Sequence, residues 1–391
     1  MRVVISPQQR RAALVALAAV IALFCWQTLT VHYNYRGNWT ALFCISPAVP
    51  VPEFLKSEQL YIFPNGGGYD GMIYHLIAHD PWMRKGSAQA LGAVSYRYQR
   101  ILLPALAWML AFGQDRWVHP AYFTVILAFA FLGVYWSSLF VPRIGLNPAW
   151  GLLFAVTPAV IISIDRMTVD IALAAFTAAF ALYATDSPGG RMFAILLCAA
   201  LTRETALPLI AGYAAYLLTR KNWRGASLAS AAATPAIAWF FYLHLSHREP
   251  SEFQRFLSWP LAAFLSHIVH PAAYDVPPIA QLGAQVMDVA ALGGIALALL
   301  QVVQLLLGPR WNARSAAIYA LALMTIFLGS RAGWSGAFDF GRVLTPLLLL
   351  TAFERATTSP LTAFLPILLV DARISLNFVS QIAGVFRGLS R

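Results

Sequence analysis

The chain has 391 residues and a formal net charge of +11, and 59% of its residues are hydrophobic against 11% charged. Soluble domains carry about 25% charged residues, so a mean hydropathy of +0.65 excludes a soluble globular fold. The apolar runs are continuous rather than alternating, which excludes a closed β-barrel and leaves helices as the membrane-crossing element.

The positive charge invites a nucleic-acid reading. The basic residues are spread singly along short loops, as membrane topology requires, and form no block interleaved with aromatics. No nucleic-acid partner is expected. Cys25, Cys44 and Cys198 give neither a disulfide framework nor a metal spacing. Composition therefore predicts an all-α polytopic membrane protein, a single integral membrane domain over 1–391 with about 10–11 transmembrane helices.

In chain order, Arg10 and Arg11 precede an apolar run over 12–31. The run is too long for the core of a signal peptide and no small-residue cleavage site follows it, so it reads as an anchor with a cytoplasmic N-terminus. Residues 32–118 form a long first extracytoplasmic loop, rich in Tyr and Trp as interfacial segments are. Within it, 71–79 is expected to be a short helix, with Ile73, Leu76 and Ile77 on one face and Asp80-Pro81 as its stop. The apolar piece 101–113 is too short to span and reads as a second juxtamembrane or re-entrant helix.

Core helices fill 119–220, with spans near 120–140, 149–164 and 169–184, then 191–201 paired with 206–219 across the polar turn Thr202–Thr205. C-terminal helices fill 221–391, with spans near 226–245, 283–307, 315–330, 343–354 and 360–378. From about Asp371 the chain reads either as the end of a last span or as an interfacial helix.

Charge tests this topology. With 101–113 not crossing, the inner loops hold Arg2, Arg10, Arg11, Arg143, Arg191, Arg220, Lys221, Arg224, Arg310, Arg314 and Arg355 against Asp186 and Glu354. Near-pure positive charge on one side fits the positive-inside rule. The same topology gathers Asp70, Asp80, Arg97, Arg100, Asp165, Arg166, Asp170, Arg203, Glu204, Arg331, Asp339 and Arg342 on the outer face, several at helix ends, where an ionisable residue is costly and usually functional.

Two motifs in the loop, Tyr69-Asp70-Gly71 and Arg97-Tyr98-Gln99-Arg100 followed by Pro104, give the chain a recognisable pattern. Asp165-Arg166 with Asp170, then Leu201-Thr202-Arg203-Glu204-Thr205, and more faintly Arg342-Val343-Leu344 before Pro346, continue it. The pattern resembles the GT-C superfamily of integral-membrane glycosyltransferases, most closely the protein O-mannosyltransferases, the aminoarabinose transferase of lipid A and a bacterial group of cell-surface glycopolymer proteins. One departure stands out: that superfamily commonly has two acidic residues adjacent or one apart in this loop, whereas Asp70 stands alone with Asp80 ten positions on.

The resemblance implies transfer of a sugar from a polyprenyl-phosphate donor to a cell-envelope acceptor, at the extracytoplasmic face of a bacterial inner membrane. The donor and membrane lipid are then the expected partners; the glycan, lipid or protein acceptor stays open. Such a reaction breaks an anomeric C–O bond with phosphate as an already good leaving group. A carboxylate is needed to take the acceptor proton, an effect typically worth about 10²–10⁴-fold, together with cations for the departing phosphate. Asp70 is the expected base. Arg97, Arg100, Asp165, Arg166, Asp170, Arg203, Glu204 and Arg342 are the expected substrate-binding residues.

Gly66, Gly67, Gly68 and Gly71 would allow close backbone approach around the base. No Walker lysine follows them, which argues against a nucleotide-binding loop. Ordinary roles are also open: a solvated loop carboxylate for Asp70, helix capping for Asp165 and Asp170, an internal pair for Arg203-Glu204, headgroup contact for Arg97 and Arg100. The chemistry calls for no firm cofactor. His75 and His79, four apart on a helix and followed by Asp80, are the weak metal candidates, because no zincin glutamate and no clear further ligand accompany them. A lipid-linked-sugar flippase or a non-catalytic assembly protein are the competing readings. A transporter would be expected to show an internal repeat and charges near the bilayer midplane.

Overall fold

The computed structural model describes residues 6–64, 68–186, 188–247, 258–308, 311–329, 333–334 and 336–390. The chain is all-helical, 77% helix, with no strand among the described residues. One isolated parallel bridge, Ile45 to Ile62, closes part of the first loop on itself.

The first helix, α1 (Pro7–Tyr35), begins at a capping box in which Ser6 and Gln9 bond each other's backbone N–H, and it stops at Arg36 in the left-handed region. Leu14, Leu17, Ile21 and Phe24 are half-exposed along it. A row of bare apolar side chains on a helix this long is the face that lipid covers.

After the loop come the short helices α2 (Asp70–His79), α3 (Ser87–Leu91), α4 (Val94–Tyr98) and α5 (Leu102–Leu110). The helix expected over 71–79 is thus α2, and the piece expected over 101–113 is α5, whose nine residues reach only about 14 Å. α6 (Asp115–Phe140) follows and packs against α1.

The segment expected as one span over 149–164 is instead bent. A 3-10 stretch Pro148–Val156 meets α7 (Pro158–Arg166) at 55°. The cause is local: Pro158 offers no N–H, and its ring drives the preceding Thr157 into extended backbone at ψ 150.

α8 (Asp170–Tyr183) and α9 (Gly190–Thr202) come next. Arg203 is then extended, Glu204–Ala206 forms one 3-10 turn, and α10 (Leu207–Thr219) begins. The polar tetrad 202–205 does make the turn between two short apolar helices. α11 (Trp223–Ala231), α12 (Thr234–His247), α13 (Ala262–Val269), α14 (Pro278–Leu306), α15 (Ala313–Phe327), α16 (Ala337–Arg355), α17 (Pro360–Ser375) and α18 (Val379–Leu389) complete the chain. Beyond Asp371 the last span runs on through a 3-10 turn at Leu376–Phe378 into α18, which packs back on α1.

Among the described residues five helices are long and apolar enough to cross a membrane, six if the bent pair counts as one crossing. α8, α9 and α15 are apolar but shorter. Two helices occupy the centre: α8 is buried from Asp170 to Leu182 and α16 from Phe340 to Glu354. A helix buried on every side needs no polar face, which is why these two are mostly apolar beyond their charged starts, broken by Thr177 in α8 and by Thr345 and Thr351 in α16.

Close packing of α10 on α15 depends on Gly212. A Cβ there would lie 2.5 Å from the carbonyl oxygen of Ala316 and 2.6 Å from Cα of Ala317. Small residues at such crossings let helix backbones touch inside a membrane. Gly212→Ala should therefore lower the thermal unfolding midpoint in detergent, by the equivalent of about 1–3 kcal/mol for an overpacked contact. Gly190→Ala, whose Cβ meets nothing within 4 Å, should leave the midpoint unchanged.

Candidate functional site

One end of the helical bundle collects the ionisable residues, because charged first or last turns of otherwise apolar helices meet there. α2 begins with Asp70, α8 begins with Asp170, Arg203-Glu204 joins α9 to α10, and the first turns of α16 carry Asp339 and Arg342. Arg100 comes from the short connection between α4 and α5.

These side chains form one continuous network. Arg342 donates through Nη1 to Asp70 Oδ2 at 2.6 Å and through Nη2 to Asp339 Oδ1 at 2.9 Å. Its Nη1 also lies 3.7 Å from Asp170 Oδ2. Arg203 pairs with Asp170 through its guanidinium and stands 3.7 Å from Glu204. Arg100 grips Glu204 with both arms of its fork, Nε to Oε2 at 3.1 Å and Nη2 to Oε1 at 2.7 Å, and approaches Asp70 to 3.9 Å. Tyr74 and Tyr96 accept its remaining donors at 3.2 and 2.7 Å.

Burial sets the arginines and Asp170, itself 1% exposed, apart from the other three carboxylates. The side chains of Arg100, Arg203 and Arg342 are 5%, 2% and 8% exposed, whereas Asp70, Glu204 and Asp339 are 26%, 26% and 23% exposed. The cations and Asp170 are set in the wall, and Asp70, Glu204 and Asp339 cover them from the solvent side. Four carboxylates face three guanidinium groups, so the cluster is held with little net charge, as a group removed from water must be. Three buried atoms keep no hydrogen-bond partner among the described residues: Arg203 Nε, Arg342 Nε and Asp170 Oδ2.

Electrostatics fix the protonation of the two carboxylates that lie outside the spans. Burial alone would push Asp70 up, but Arg342 and Arg100 overcome it and hold the carboxyl at about 2. Glu204, raised by burial and lowered more strongly by Arg100 and Arg203, is likewise held at about 2. Both are carboxylates throughout the neutral range.

Gly71 belongs to the site for a steric reason. A Cβ on it would fall 2.2 Å from the Arg166 carbonyl oxygen and 2.9 Å from that of Phe43. Glycine here lets the first turn of α2 lie against the end of α7. Gly68 similarly passes Ser46, whose Cβ a new Cβ would meet at 2.5 Å. Gly66, Gly67 and Arg331 lie outside the described residues.

The other sequence-derived candidates sort themselves by position. Asp165 and Arg166 pair with each other at 2.7 Å, and Asp165 also accepts from Gln381 in α18. They form a neighbouring pair rather than part of the network. Tyr69 connects the two groups, since Arg166 lies 5.7 Å from its ring and Arg342 4.8 Å. Arg97 is not brought in: its guanidinium donates to the Leu91 carbonyl and braces the turn between α3 and α4. Gln99 of the same motif lies 3.5 Å from Glu204. Asp339, Tyr74 and Tyr96 are participants that sequence reasoning did not place in the site. Asp339 was legible only as a charge at a helix start three residues before Arg342.

Asp80 requires a correction as a metal candidate. Its carboxylate accepts from the backbone N–H of Arg84 at 2.6 Å and of Lys85 at 2.8 Å, and from the Ser87 hydroxyl at 2.7 Å. It organises the turn after α2 and is not among the groups that meet at the histidines. His75 and His79 instead face His119 of α6 and Glu58 of the first loop. Burial, with His79 and His119 nearby, pushes His75 well below its usual range and keeps the ring neutral.

No protein-family model, curated protein or solved structure matches this chain. A wall of three arginines covered by displaceable carboxylates can take a phosphate, and an unprotonated Asp70 beside it can accept a proton.

Two stability measurements follow. Arg203→Met strands the buried Asp170 carboxylate and should destabilise by about 3–5 kcal/mol, seen as a large loss of thermal midpoint; Asp70→Asn, partly solvated and still able to accept from Arg342, should cost much less. Asp70 and Glu204 have folded-state pKa values near 2, below the ordinary 3.8 and 4.5. A depressed carboxylate stabilises the fold above its ordinary pKa and loses that contribution as pH falls toward the folded value. The thermal midpoint should thus be level from about pH 5 to 8 and drop between about 4.5 and 2, with a shallower drop in Glu204→Gln.

Proposed function

We propose that this chain is a membrane glycosyltransferase of the GT-C kind, moving a sugar from a polyprenyl-phosphate donor to a cell-envelope acceptor. The observation that carries the reading is the contact of Asp70 with Arg342 and Arg100 inside a cluster drawn from separate helix ends. A lone carboxylate in the first loop thereby acquires Asp170 and Asp339 as neighbours on the same guanidinium. The acidic companion missing from the loop sequence is supplied from elsewhere in the chain, and a guanidinium bridges it.

In this reading the donor phosphate competes with Asp70 for Arg342 and Arg100. Once Arg342 turns to the phosphate, Asp70 is released from its tightest partner and becomes more basic. The acceptor hydroxyl oxygen then attacks the anomeric carbon and Asp70 takes its proton. The anomeric C–O bond breaks with its electron pair leaving on the polyprenyl phosphate, whose charge the arginines hold. A cavity of about 270 Å³, lined by Ile268, Val286, Val289, Leu292 and Phe340 among others, reaches the first turn of α16. Its apolar wall suits the first isoprene units of a carrier whose phosphate lies toward Arg342.

Counting the bent pair and the shorter helices α8, α9, α10, α15 and α16 as crossings gives about eleven spans, which places every member of the cluster at one membrane face. Arg143, Arg191, Arg220, Arg314 and Arg355 fall at the other ends of the same helices. The positive-inside rule then favours an extracytoplasmic site and a cytoplasmic N-terminus; the bacterial inner membrane rests on the family resemblance and the Arg-rich composition. The arginine cluster sits at helix ends rather than at the bilayer midplane, which disfavours a transporter built on it; the charges farther along their helices are the Asp288–Arg373 pair and the buried Asp371. One observation favours a non-catalytic assembly protein as the second reading: each arginine of the cluster already has a carboxylate partner.

Asp70→Asn separates these. If Asp70 is the base, surface glycan transfer should fall by about 10²-fold or more at unchanged protein level, with lipid-linked donor accumulating on the outer leaflet. Donor accumulating on the inner leaflet would instead indicate a flippase. Normal glycan in cells carrying Asp70→Asn would favour the assembly role.

A further inference from the structure

Away from the arginine cluster, α2 presents a second set of groups on its later turns. His75 and His79 lie one turn apart on one helix face, and neither side chain reaches solvent. Against them stand His119, in the first turns of α6, and Glu58, from the loop that follows the 3-10 turn Glu53–Leu55. His75 Nε2 is 2.7 Å from His119 Nε2, and His119 Nε2 is 3.1 Å from Glu58 Oε2. One donor atom from each of the four residues lies within 4.8 Å of the other three.

Three features distinguish this from a chance meeting of polar side chains. First, His79 is oriented from behind: its Nδ1 is 3.0 Å from Asp115 Oδ1, and Lys85 holds that carboxylate at 2.8 and 2.9 Å. A carboxylate on Nδ1 fixes the tautomer with the lone pair on Nε2, the arrangement that supports a metal-bound imidazole. Second, His79 Nε2 is buried with no hydrogen-bond partner among the described residues, and Glu58 Oε2 is likewise buried without one of good geometry. Third, Phe43 lies on His75 at 4.5 Å and on His119 at 5.6 Å, and Phe54 is 6.2 Å from His79, so aromatic rings enclose the group.

We propose that Glu58, His75, His79 and His119 form a divalent-metal site, filled by Zn²⁺ and structural in role. Three imidazoles and one carboxylate make a nitrogen-rich set suited to zinc and not to Mg²⁺ or Ca²⁺, which prefer oxygen. Four protein ligands complete a tetrahedron and leave no open position. With ligand distances of about 2.0–2.1 Å, tetrahedral donors lie roughly 3.3 Å apart. His75 and His119 then part by about 0.6 Å from their 2.7 Å, and a pair at the 4.8 Å limit closes by about 1.5 Å, movements that side-chain rotations supply. The ion would pin the first loop, through Glu58, to α2 and to the start of α6. That same α2 begins with Asp70, so the metal would hold the helix that positions the proposed base without touching it.

The test uses the full chain purified in detergent without a polyhistidine tag, stripped with chelator and titrated with Co²⁺. The expected result is one equivalent bound with the strong visible absorption of a tetrahedral ion, displaced by Zn²⁺. His119→Gln and Glu58→Gln should lose that spectrum, and Asp115→Asn should weaken affinity about 10–100-fold with all ligands in place. Asp70→Asn should bind as the parent does, which keeps this site separable from the transferase reading. A parent protein with no tetrahedral cobalt spectrum, or one unchanged in His119→Gln, overturns the proposal. The parent titration decides the matter even if a variant fails to fold.

Discussion

Arg342 is shared by three carboxylates, Asp339 on its own helix, Asp70 from the first loop and Asp170 from the start of the other central helix. A guanidinium in a wall of helices must be neutralised and hydrogen-bonded on nearly every edge, or its burial costs several kcal/mol. Meeting that demand dictates where three otherwise independent segments lie. The first turn of α2 must reach α16, α8 must begin at the same level, and Tyr69 must stack between Arg342 and Arg166. The glycine at 71 follows from the same demand, because only a bare Cα lets that turn settle against the end of α7.

The two polar groups along α2 share a helix but differ in kind. At its first residue the helix contributes to a charge-dense, partly wetted cluster whose members can exchange partners. One to two turns later it contributes to a dry group of imidazoles enclosed by aromatic rings. Ten residues thus serve one region suited to exchange and one suited to permanence. The turn after them is closed by Asp80, whose carboxylate collects four donors.

Much of this was legible in the sequence, and particular residues show why. In a chain so poor in charge, Asp70, Arg100, Asp170, Arg203, Glu204 and Arg342 stand out as ionisable residues at the ends of apolar runs, and the structure joins all six. The partners were not legible: Asp70 meets Arg342 across 272 positions, and a carboxylate-lined wall does not advertise which carboxylate will claim which arginine. Arg97 looked equivalent to Arg100 in the same motif, yet three residues on a tight turn point in different directions. The bend at Thr157 had a signal in Pro158, overridden by the apolarity of the whole run. His119 and Glu58 carried no signal, because the local spacing of His75 and His79 says nothing about loops that fold over them.

The separation between Asp70 and Arg342 also bears on how the protein is made. Helices enter the membrane in order of synthesis, so α1, the first loop, α8 and the Arg203 turn are in place well before α16 exists. Until then Asp70 lacks its closest partner, while Asp170 already has Arg203. The cluster would thus assemble in two stages, an early pair at the core and a late closure by the last third of the chain. Until that closure Asp70, Asp170 and Glu204 share Arg100 and Arg203, one carboxylate in excess, so a nascent or truncated chain carries an incompletely neutralised cluster.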